Sequence, residues 1–70
     1  MANISSSDSL YVCASSMGRQ FYNFTGEGID SLSEIIDLVR NTPGAPQGLV
    51  MLTVRNASKG WCQNRTFYIA

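Results

Sequence analysis

Apolar positions along the chain fall into four short blocks separated by polar, glycine-bearing breaks, and only once does their spacing turn helical. The first block, Leu10-Tyr11-Val12-Cys13-Ala14, mixes β-branched and aromatic residues and ends at Ser15 and Ser16, which reads as a strand. Gly18, within Ser16-Met17-Gly18-Arg19, supplies the positive φ of a tight turn. Gln20 to Thr25 is rich in aromatics and reads as the returning strand, broken by Gly26-Glu27-Gly28. The first third is thus expected to be a hairpin.

The helical stretch follows. Ser31-Leu32-Ser33-Glu34 fits a capping box, in which the Ser31 hydroxyl accepts the amide of Glu34 and Glu34 reaches back to the amide of Ser31. Leu32, Ile35, Ile36 and Val39 recur at i, i+3, i+4, i+7, and Arg40 places a cation in the last turn. Pro43, Gly44 and Pro46 forbid continuation. A helix of about three turns is marginal alone in water, so its stripe needs a sheet to pack on.

Gly48 to Arg55 is apolar on both parities, which predicts a central strand with both faces covered. Asn56-Ala57-Ser58-Lys59-Gly60 has hairpin-turn chemistry. Trp61 to Ile69 makes a fourth strand whose core-facing parity is left open, with room for a bulge. The order predicts an α+β domain: a small ββαββ unit with a four-stranded, mostly antiparallel sheet and one amphipathic helix on one face. At 70 residues the chain is a single domain, 1–70, with residues 1–9 expected to be a flexible lead-in.

Charge adds a division. Residues 1–39 carry five acids (Asp8, Glu27, Asp30, Glu34, Asp37) against Arg19 alone, a net of −4. Residues 40–70 carry Arg40, Arg55, Lys59 and Arg65 with no acid, a net of +4. The two halves are expected to neutralise one another, within the fold or between subunits. No run of eighteen apolar residues is present for a membrane span, and the start lacks the basic and apolar blocks of a signal peptide. The expected setting is cytoplasmic, with Cys13 and Cys62 reduced. Four Asn-x-Ser/Thr sequons, at Asn3, Asn23, Asn56 and Asn64, are read as incidental in that setting.

The inventory for catalysis is poor. Histidine is absent, and two cysteines alone make no zinc site. Asp30 and Glu34 are accounted for by helix capping, and the glycine pair at Gly26 and Gly28 lacks the further glycine or lysine of a phosphate cradle. No catalytic residue, cofactor or metal is therefore expected, and the chain reads as a non-enzyme. What remains is binding. Apolar residues occupy both parities of the strands, Tyr11 and Cys13 as well as Leu10 and Val12, and Leu49 and Met51 as well as Val50, Leu52 and Val54. One helix covers one face, so the other calls for a partner: a second copy in a homodimer, or another protein, through the helix-free face or an edge strand. The alternative is a nucleic-acid-binding module in which Arg55, Lys59 and Arg65 track phosphate beside Trp61. Three local cations in a chain of pI about 6.0 make that a weak signal.

Overall fold

The expected elements form where the residues favour them, in a computed structural model that describes residues 3–70; Met1 and Ala2 lie outside the described residues. The strands are β1 (Leu10–Ser16), β2 (Arg19–Gly26), β3 (Gly48–Asn56) and β4 (Trp61–Ile69), with helix α1 (Leu32–Arg40) between the two hairpins. They make one antiparallel sheet in the order β2-β1-β3-β4, so β1 and β3 are central and β2 and β4 are edges. This is the expected ββαββ, α+β domain.

Ser31 caps α1, its hydroxyl accepting from the Glu34 amide at 3.2 Å. The return contact differs by one residue from the expected capping box: Glu34 accepts from the amide of Asp30, at 3.5 Å, not of Ser31. Ile35 and Val39 are fully buried on the sheet, with Leu32 and Ile36 packed beside them. Beneath them lie Leu10, Val12 and Ala14 of β1 and Val50, Leu52 and Val54 of β3, each at most 2% exposed. This single layer of aliphatic side chains between helix and sheet is the core.

The first hairpin turns through Met17 and Gly18, both with positive φ (55° and 78°). Two successive left-handed residues make the type I′ geometry that suits a two-residue hairpin loop. Glycine fits it freely; methionine does not, and Met17 is 97% exposed with no packing to offset the strain. Met17→Asn is expected to raise stability by about 0.5–1 kcal/mol, measured by urea unfolding.

Three features depart from the expectations. The bulge is in β2 rather than β4: Ala14 pairs with Tyr22 and Ser15 with Gln20, leaving Phe21 unopposed, so that both Phe21 and Tyr22 pack against the core. The β3–β4 ladder runs unbroken from Gly48↔Ile69 to Asn56↔Trp61. Second, β3 is central as expected, but only its helix side is covered, and Leu49 (47%) and Met51 (61%) are exposed on the other. Third, residues 3–9, where a loose lead-in is expected, are tied to the rest of the chain. The Gly28 amide donates to the Ser6 carbonyl and the Ala57 amide to the Ser9 carbonyl, at 2.8 and 2.9 Å. Asp8 within this segment is buried.

Candidate functional site

Side chains of a strand alternate between faces, so the pairing register fixes what the helix-free side presents. Three cross-strand rows run across all four strands there: Thr25–Tyr11–Arg55–Cys62, then Asn23–Cys13–Thr53–Asn64, then Gln20–Ser15–Met51–Thr66. Leu49 and Tyr68 complete the face beyond Met51. Its middle is polar and internally bonded, the Thr53 hydroxyl donating to Asn64 Oδ1 at 2.9 Å. One end is apolar: Leu49, Met51 and Tyr68 (69% exposed) adjoin one another, and a shallow depression of about 300 Å³ lies beside Met51, Thr53, Asn64 and Thr66. At the other end Tyr11, 43% exposed, sits opposite Arg55. Arg55 is the single charge in these rows, and it makes no ion pair among the described residues.

The four residues singled out for nucleic-acid contact do not share a surface. Arg55 faces the helix-free side, opposite Cys62. Arg65 is opposite Leu52, whose side chain is buried under the helix, so it lies on the other side of the sheet. Trp61 packs against the core, and its indole nitrogen is buried without a hydrogen-bond partner. Its indole nitrogen is therefore committed to the fold, with the ring half-covered.

Lys59 is committed as well. Its ammonium lies 2.8 Å from Asp8 Oδ2 and also donates to the Ser5 hydroxyl at 2.9 Å. The same Asp8 oxygen accepts from Asn56 Nδ2 at 2.8 Å and from the Ser5 amide at 2.9 Å. Asn56, fully buried, accepts the Lys59 amide on its other side at 2.9 Å. This node joins the N-terminal segment to the second hairpin, and Lys59–Asp8 is the one ion pair among the described residues. A Lys59→Glu variant would set two carboxylates against each other, so it reports on folding rather than on phosphate binding. Asn56, one of the four sequon asparagines, is sealed inside the node and is no acceptor in the folded chain.

Hydrogen bonds from Lys59 first, then from Asn56 and the Ser5 amide, hold the Asp8 carboxyl at about 2, below its ordinary 3.8. The folded chain thus keeps Asp8 ionised where the unfolded chain has begun to protonate it. The contribution is complete above about pH 4 and is lost as pH falls towards 2. Asp8→Asn is expected to flatten stability against pH across that window, as followed by urea unfolding at each pH.

Cys13 and Cys62 are both free. They sit on the same face but on β1 and β4 with β3 between them. Two strand spacings come to about 10 Å, beyond the reach of a disulfide. No group of three or more His, Cys, Asp or Glu residues placed to hold a metal ion occurs among the described residues. No helix among them is long and apolar enough to cross a membrane.

The exposed apolar group was only half visible in the sequence. Tyr11, Leu49 and Met51 stand out there as the surplus parity of their strands, whereas Tyr68 does not, because the facing of β4 depends on its register against β3. Comparison with protein-family models finds no match, and no similar curated protein or solved structure is found.

Proposed function

We propose that this chain is a small non-enzymatic protein-interaction domain that associates through its helix-free sheet face, in the first place with a second copy of itself. The observation that carries the reading is the adjoining group of Leu49, Met51 and Tyr68 on a face the chain's own helix does not reach. Burying a large apolar side chain is worth about 1.5–3 kcal/mol, so three together make a driving force for association. The polar rows beside them supply hydrogen-bonding groups for a rim. A cytoplasmic setting belongs to the same proposal, supported by the free and exposed thiol of Cys62. The nucleic-acid alternative draws less support from this geometry, since Arg55 and Arg65 point to opposite sides and Lys59 is held by Asp8.

Methionine methyl resonances offer a direct test. The Met51 signal is expected to shift as the protein is concentrated, while the methyl signals of Ile35, buried between helix and sheet, stay in place as an internal control. A Met51 signal unchanged up to millimolar concentration would remove the support for self-association through this face.

A further inference from the structure

The two edges of the sheet are not alike. β2 is interrupted by the Phe21 bulge, a device that twists an edge away from partners. β4 runs nine residues in unbroken register, with no proline, glycine or bulge, and carries a single charge, Arg65. Its outer side faces no other strand among the described residues. Among the described residues only its far end is engaged: Arg40 lies over the Phe67 ring, 5.3 Å from its centroid, and donates to the Tyr68 carbonyl at 3.5 Å. The outer backbone of Trp61–Phe67 is left as an open edge among the described residues.

We infer that this edge pairs with its own copy, antiparallel about a twofold axis through Asn64, to make a continuous eight-stranded sheet. The register follows from the side chains. An axis through Arg65 would set two guanidinium groups opposite each other, which is unfavourable. An axis through Asn64 keeps every residue on its proper face and places Trp61 opposite the partner's Phe67, Cys62 opposite the partner's Thr66, and Gln63 opposite the partner's Arg65. Trp61 and Phe67 are half-covered on the helix side of their own chain. The pairing covers both with an aromatic neighbour, twice by symmetry, and satisfies backbone groups that are otherwise left to water. It ends where Arg40 already occupies the strand.

This contact runs along the outer backbone of β4 and not through the Leu49, Met51 and Tyr68 group, so the two can be separated. In Met51→Lys, which carries a charge on the face and changes no residue of β4 itself, alternate amides between Trp61 and Phe67 are expected to exchange at least tenfold more slowly in concentrated than in dilute protein. Amides of β2 are expected to show no such change. Thr66→Cys, oxidised with diamide, is expected to give a dimer linked between Cys62 and the sulfur introduced at position 66 of the partner, as read by peptide mapping. Exchange rates in β4 that do not depend on concentration would overturn the inference. So would a bridge joining position 66 to position 66, or protection that appears only when an unrelated extended peptide is added.

Discussion

Asn56→Ala is expected to lower folding stability by about 2–4 kcal/mol, measured by urea unfolding at neutral pH. Asn56 is fully buried, and its amide group is engaged on both sides, by Asp8 Oδ2 and by the Lys59 amide. Alanine removes both bonds and a longer third one, from Asn56 Nδ2 to the Asn3 carbonyl at 3.5 Å, leaves the Lys59 amide without its acceptor and opens a small cavity, and an orphaned buried polar group costs about 1–3 kcal/mol by itself. A domain of this length holds roughly 4–10 kcal/mol in total, so the loss is a large share. It should also free residues 3–9, whose amides would exchange faster than in the wild type. A loss below about 0.5 kcal/mol would mean that the node does not fasten the N-terminal segment.

The second large effect is Ile35→Ala, at about 2–5 kcal/mol. Ile35 is fully buried on the inner face of α1 and packs with the aliphatic layer of β1 and β3. Truncation removes three methyl or methylene groups from the one core layer among the described residues and leaves a cavity between helix and sheet. The helix itself is too short to persist undocked, so loss of helical circular dichroism should coincide with loss of the near-ultraviolet signal. If helix content outlasted tertiary packing on heating, the helix would be drawing its stability from its own cap and not from the sheet.

The elements of the fold were legible because their signals are local. Ser31 and Glu34 mark the helix start three residues apart, Gly18 marks a turn, and the doubly apolar run from Leu49 to Val54 marks a central strand. What was not legible depends on residues far apart in the chain. Asp8 reads as a polar residue in a serine-rich lead-in until Asn56 and Lys59, 48 and 51 positions away, close around it. Asn56 reads as an exposed turn residue for the same reason. The facing of β4 was undecidable from its own pattern because an edge strand is only half covered: Trp61, Phe67 and Ile69 reach the core, while Arg65 on the same side stays in water. The candidate basic cluster was drawn from neighbours in sequence, and strand alternation together with the Asp8 pairing disperses it. The helix-free apolar face is the opposite case. It follows from counting apolar residues on both parities against a single covering helix, an argument that needs no register.

Sedimentation of the wild type and of Met51→Lys across a hundredfold range of concentration tests the central claim most directly. The account predicts that the wild type reaches a larger mass than Met51→Lys at the same concentration, both remaining folded by circular dichroism. Equal masses for the two proteins at every concentration would contradict it, and the helix-free face would then have no part in association.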